Sequence, residues 1–196
     1  MPHTTTFHLN TDLASIAVLN ENRQDENDAF REFLQMRDIA SIDTLVHQLN
    51  QTITPQVNCL DCGNCCRSLM INVEENEIKP VANQLQMNTQ QLKEIYLEVS
   101  EQGQMVMNTI PCAFLQDNAC TVYENRFSEC REFPHLHKPN FKGRLFGTFM
   151  HYGRCPIIFN VVEALKLELH FHEDSIQFDE PVDITNNNYE IIARTI

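Results

Sequence analysis

The sequence predicts a mainly helical α+β fold with an irregular, cysteine-rich centre that is organised by metal and carries a small β-hairpin. Three observations predict it. Apolar residues recur at helical spacing in several stretches on either side of the middle of the chain. Two short apolar runs flank one turn-rich loop, the pattern of a hairpin. Four of the eight cysteines fall in one window, Cys59-Leu60-Asp61-Cys62-Gly63-Asn64-Cys65-Cys66, and the others, Cys112, Cys120, Cys130 and Cys155, follow at wide intervals.

A chain of 196 residues reads as a single domain, 1–196, able to bury a core without disulfide staples. Within it, 57–156 is the cysteine-cluster region, while 1–23 and 173–196 read as peripheral, polar segments. The first helical stripe is Phe30, Phe33 and Leu34, and the second is Ile42, Leu45, Val46 and Leu49, with a break near Ser41 that could cap the second helix. Asn72 to Leu85 is acidic and helix-like, with Pro80 expected to interrupt it. Thr89 is placed as the N-cap of a helix running through Val99, with Leu92, Ile95, Tyr96 and Val99 on one face and Gly103 ending the stretch. The hairpin pairs Ile110–Leu115 with Cys120–Tyr123 around Gln116-Asp117-Asn118-Ala119. From Cys130 to Cys155 the chain reads as irregular loop, rich in Pro and Gly. Pro156 opens an apolar helix over 156–165, and strict alternation from Leu165 to His172 then reads as a strand.

Charge excludes some partners. With 27 acidic and 14 basic residues the formal charge is −13, which argues against bulk binding to nucleic acid or an anionic membrane. No apolar run approaches the roughly 18 residues of a membrane span. The opening Met1-Pro2-His3-Thr4-Thr5-Thr6 lacks the basic and apolar regions of a secretion leader. The expected location is the cytoplasm, where thiols stay reduced and clustered cysteines read as metal ligands or redox groups.

Three chemistries compete for the cysteine window. A disulfide between Cys65 and Cys66 would be strained, since adjacent Cα atoms lie about 3.8 Å apart against a usual range of roughly 4.4–6.8 Å. A redox pair at Cys59 and Cys62 would ordinarily open a helix after a strand, and Thr54-Pro55-Gln56-Val57-Asn58 is a poor strand. Metal ligation fits better. The C-x2-C-x2-C run resembles three corners of an iron–sulfur cubane loop, with Cys155-Pro156 able to supply the fourth, while Cys59-x2-Cys62-Gly63 equally resembles a zinc knuckle. Arg67 and Arg131 are placed to offset thiolate charge. If Cys65 and Cys66 lie in extended chain their side chains point apart. The expected partition is then Cys59, Cys62, Cys65 and Cys155 around one centre and Cys66, Cys112, Cys120 and Cys130 around a second. Iron–sulfur cluster or zinc is the expected cofactor, in one or two centres.

These residues carry a resemblance. The chain resembles the zinc- or iron-chelating domain proteins named for their C-x2-C-x2-C-C cluster, through Cys59 to Cys66, Pro111-Cys112-Ala113-Phe114-Leu115, Cys120-Thr121-Val122-Tyr123, Asn125-Arg126 and Cys130-Arg131-Glu132-Phe133-Pro134. The likeness runs over about 57–135, with Cys155-Pro156 as an extension. Family members usually read Arg-Pro where this chain has Arg126-Phe127, a change that removes no ligand. A similar cysteine domain occurs in flagellin lysine N-methylases, which implies an iron–sulfur-dependent protein-modifying enzyme as one alternative and a non-catalytic zinc adaptor as another. This chain shows no glycine-rich S-adenosylmethionine loop, so methyl transfer is analogy alone.

Between Arg126 and Cys155 the charge balance reverses: Arg126, Arg131, Lys138, Lys142, Arg144 and Arg154 face only Glu129 and Glu132. This basic rim could dock an acidic protein partner or balance thiolate charge. His135, His137, His151, Tyr152, His170 and His172 read as loop or surface residues rather than ligands, since thiolates are already sufficient.

Overall fold

The Asp12 carboxylate accepts the Ala14 amide at 3.0 Å and starts the first helix, α1 (Leu13–Asn22). The structure is a computed structural model that describes residues 8–172. The lead-in expected at 1–23 is therefore helical over much of its described length, with Ile16 fully buried. Tertiary contact makes it so. Buried Asn160 in the last helix accepts the Asn10 amide at 2.9 Å and donates to the Asn10 carbonyl at 2.7 Å. The segment 173–196, expected to be peripheral, lies outside the described residues.

Helices α2 (Gln24–Gln35) and α3 (Ile39–Ile53) follow the predicted stripes, burying Phe30, Phe33 and Leu34, then Ile42, Val46 and Ile53. The cap between them is Asp38 rather than Ser41. Its carboxylate accepts the Ser41 amide at 2.8 Å and the Ser41 hydroxyl at 2.9 Å, which places Ser41 inside the first turn. Two short helices, α4 (Cys59–Cys62) and α5 (Asn64–Ser68), carry the cysteine window.

Pro80 does not interrupt the next helix, α6 (Ile78–Gln84). It sits in the first turn, where its missing N–H would have had no intrahelical acceptor. Asn88, not Thr89, caps α7 (Thr89–Tyr96), through a reciprocal pair with Gln91 at 2.8 and 3.0 Å. That helix stops at Tyr96. Leu97–Val99 forms β1, antiparallel to β2 (Met105–Met107), with Gly103 at φ 79° in the connecting turn. The predicted hairpin is present in shortened form as β3 (Leu115–Gln116) and β4 (Ala119–Cys120), joined through Asp117 and Asn118.

The stretch after Cys130 is less irregular than expected, holding the end of α8 (Ser128–Glu132) and all of α9 (Leu145–Met150). The last helix, α10 (Pro156–Glu168), absorbs most of the supposed strand. Alternation misled because Phe171 is buried by a chain reversal rather than by a sheet. His170 adopts φ 50°, the Phe171 amide returns to the Lys166 carbonyl at 2.9 Å, and the Phe171 ring packs 4.8 Å from Phe30 and 5.2 Å from Phe33.

Two apolar cores result. One joins α1, α2, α3, α9 and α10 through residues such as Ile16, Phe30, Val46, Ile158 and Val162. The other gathers Val73, Ile78, Leu92, Met107, Phe114 and Phe127. The mainly helical α+β class is as the sequence predicts, with two small antiparallel two-strand sheets. Among the described residues no helix is long and apolar enough to cross a membrane. A cleft opens where the two cores meet, lined by Ile157 and Ile158 from the first and by Met107, Phe114 and Phe127 from the second.

Candidate metal centre

The cysteine turn is held from several sides. Asn58 caps α4 by accepting the Leu60 amide at 3.1 Å, and Gly63 reverses the chain at φ 57° with its amide on the Cys59 carbonyl at 3.0 Å. A side chain at position 63 would collide: a Cβ there would stand 2.8 Å from the Asn118 carbonyl oxygen and 3.1 Å from the Arg67 guanidinium. Arg67 clamps the turn to the hairpin, donating to the Cys62 carbonyl at 2.9 Å, to the Asp117 carbonyl at 3.0 Å and to the Asn118 side chain. Asn64 donates to the Arg154 carbonyl at 2.8 Å, tying the turn to the residue before Cys155.

The scattered cysteines are brought to this turn by different devices. The Cys112 amide donates to the Cys66 carbonyl at 2.8 Å. Cys120 lies on β4 opposite Leu115. Cys130 rides on α8, whose first amide, at Ser128, donates to Glu77 Oε1 at 2.5 Å, while Arg131 reaches the same oxygen at 3.2 Å. Glu77 is distant in sequence, and no local signal marks it. Cys155 is the buried residue preceding α10, with its amide on the His151 carbonyl at 3.0 Å.

All eight cysteines are free thiols. They line two adjoining hollows. Cys66, Cys112, Cys120 and Cys130 face the large cleft, of about 1160 Å³. Cys62 and Cys155 face a second hollow of about 30 Å³, and Cys59 and Cys65 line both. The smaller has room for a body of about one water molecule's size. The expectation that Cys65 and Cys66 diverge is corrected. Both lie on α5 rather than in extended chain, and their sulfurs stand 4.0 Å apart. That is close to the roughly 3.8 Å edge of a tetrahedron with metal–sulfur bonds of about 2.3 Å. Beyond such pairs the convergence is partial: among the described residues no three His, Cys, Asp or Glu side chains are grouped closely enough to clasp an ion.

Electrostatics repeat the grouping. Burial, followed by the charges of Cys66, Cys112 and Cys120, pushes the Cys130 thiol up to about 12. Burial pushes Cys155 up to about 12, with Cys59 and Cys62 adding to the rise and the Ile158 and Ile157 amides offsetting part of it. The hydrogen bond to Cys65, then burial, raises Cys66 far above an ordinary thiol. Cys59, though exposed as a residue, is raised by desolvation and then by Cys62 and Cys66. Mutual repulsion among would-be thiolates is the condition that a bound cation relieves. The cation nearest these sulfurs is not Arg131. Arg126 is the guanidinium that stabilises the anionic forms of Cys59, Cys120 and Cys130, whereas Arg131 is held by Glu77 and the Arg126 carbonyl. Arg67 has the same sign of effect on Cys66.

Residues 58–149 match the family model described as CxxCxxCC, "putative zinc- or iron-chelating domain". This stretch is a CxxCxxCC domain. No curated protein and no solved structure matches the chain.

The CxxCxxCC domain, just under half of the sequence, contains every cysteine except Cys155. That residue joins the domain's thiols through the fold, by lining the small hollow with Cys59, Cys62 and Cys65. Donor chemistry in the domain suits zinc or iron: free thiols, grouped, partly buried and accompanied by backbone amides at Cys112 and Cys120. Sequence reasoning gave His151 little weight, yet it lines both hollows, and His135 lines the large cleft. Nothing in the sequence could have singled out His151, which approaches the sulfurs through the turn between α9 and α10.

Proposed function

We propose that the chain is a cysteine-cluster metal protein, holding zinc or an iron–sulfur cluster through two adjoining thiolate sets. Cys59, Cys62, Cys65 and Cys155 form one set, and Cys66, Cys112, Cys120 and Cys130 form the other. The observation that carries this reading is that the eight thiols line two hollows with a shared wall. The small hollow favours a single ion over a cluster at the first set. The large cleft leaves room for either at the second. Bound there, zinc supplies charge and rigidity without redox chemistry, and an iron–sulfur cluster supplies electron transfer. The chain's own part is to hold the sulfurs in place through Gly63, Arg67 and Glu77, and to moderate their charge through Arg126.

The accompanying cleft favours an enzyme, such as an iron–sulfur-dependent modifier of side chains, over a non-catalytic zinc adaptor, because a purely structural centre needs no chamber beside it. Anaerobic purification, metal analysis and a visible spectrum test the reading. One or two bound equivalents of zinc or iron are expected, and a metal-free protein refutes it. Replacing Cys65 by Ser should release metal and lower stability by several kcal/mol, since site binding is folding energy. Unchanged metal content and melting temperature in that variant would remove Cys65 from the ligand set.

A further inference from the structure

The cleft is larger than an ion or cluster needs and falls at the top of the roughly 300–1,000 Å³ range typical of small-molecule sites. Its walls are mostly apolar, and exposed Phe146, Met150 and Met70 border it. Five buried side-chain polar atoms among the described residues have no hydrogen-bond partner, and three of them, Arg144 Nε, His135 Nδ1 and His151 Nδ1, belong to residues lining this cleft. Orphan polar atoms are rare in folded proteins, and a cluster of them in one concave wall points to a ligand that would pair with them.

Charge indicates what kind of ligand. Arg126, Arg131, Lys138 and Arg144 line the cleft, with Glu129 the single described carboxylate among its walls. Arg131 is paired with Glu77 and Lys138 with Glu132. Arg126 stacks on the Tyr123 ring at 3.8 Å and donates to the Tyr123 carbonyl, while Arg144 donates to the carbonyls of His135, Lys138 and Pro139. Neither has a carboxylate within ion-pair distance among the described residues, so both bring uncompensated positive charge to an apolar chamber. His135 is fixed for a role there: it holds φ 61°, its amide donates to the Glu132 carbonyl at 2.6 Å, and its carbonyl accepts from Arg144 at 2.8 Å.

We propose that this cleft binds a small amphipathic carboxylate, its apolar body against Phe133, Phe146 and Met150 and its acid group at Arg144, His135 and His151. Burial holds both imidazoles below their ordinary value, so near neutral pH they contribute hydrogen bonds rather than charge. The site lies beside the sulfur sets and does not depend on which metal they hold.

The test uses the full chain as purified, titrated with phenylbutyrate and, separately, with its neutral amide, and read by nitrogen-edited spectra of the histidine rings. The acid should shift His135 and His151 saturably, and the amide should bind at least about tenfold more weakly, the equivalent of roughly 1.4 kcal/mol. Phe146→Glu, a change at an exposed position, should weaken the acid by a similar factor without altering the melting temperature. The proposal is overturned by absence of any shift at millimolar acid, by equal binding of acid and amide, or by an indifferent Phe146→Glu variant. Metal content measured on the same samples separates the two readings. Acid binding by a protein that proves metal-free would keep the cleft and refute the metal centre.

Discussion

Gly63 joins backbone conformation to chemistry at a single position. Its φ of 57° allows two short helices to meet head to tail, and its missing side chain lets the hairpin turn at Asn118 approach. Gly63→Ala should cost about 1–2 kcal/mol from the left-handed backbone alone, with the clash adding to it. The expected readout is a lower urea midpoint together with reduced metal content, because the same turn orients Cys59, Cys62 and Cys65. His135 and His151 give a second prediction at this scale. Burial lowers both below the ordinary imidazole value, ahead of the contributions of Lys138 and Arg154 respectively. The unfolded chain therefore binds more protons as pH falls, so stability is full above about pH 6.5 and is lost toward the lowered folded values. Urea midpoints measured across that window should show the loss, and His135→Gln should flatten it.

Among the elements, α10 fastens the first core and α8 delivers Cys130. Lys166 on α10 is nearly buried, with Glu26 of α2 at 2.8 Å, Glu163 at 2.9 Å, and the Phe30 and Tyr152 rings at 5.9 and 5.6 Å. Glu163 also accepts the Tyr152 hydroxyl at 2.7 Å and pairs with Arg23. Lys166→Met keeps the apolar stem and strands two carboxylates, so a loss of about 3 kcal/mol is expected by chemical denaturation, with metal content unchanged in the folded fraction. The helical stripes of α2 and α3 were legible in sequence because Phe30, Phe33, Ile42 and Val46 repeat at the local helical period. The β1–β2 pair was not. Leu97–Val99 continues the apolar spacing of α7, and only pairing with Met105–Met107 draws it into a strand. The end of α10 was hidden for the opposite reason: alternation over 165–172 is a strand pattern with no neighbouring strand to satisfy it.

Across the molecule, two cores meet along a seam, and the thiols lie in that seam. Cys130 and Cys155 are pushed up to about 12, chiefly by burial, so near neutral pH they are protonated in the metal-free protein. Metal uptake should then release protons into a weakly buffered solution and grow tighter as pH rises. A titration with zinc that releases no protons would show that these thiols are not ligands. The donors themselves were written in the sequence: eight cysteines, a four-cysteine window with a glycine hinge, and an acidic chain with a basic stretch beyond Arg126. Tertiary structure alone decided that Cys65 and Cys66 lie side by side, that Cys155 enters the small hollow, that Arg126 rather than Arg131 faces the sulfurs, and that a cleft accompanies them. Helical periodicity and turn residues act over a few positions and leave a local trace. The meeting of Cys66 with Cys112, or of Cys59 with Cys155, depends on how distant apolar faces pack, and that information is spread over both cores.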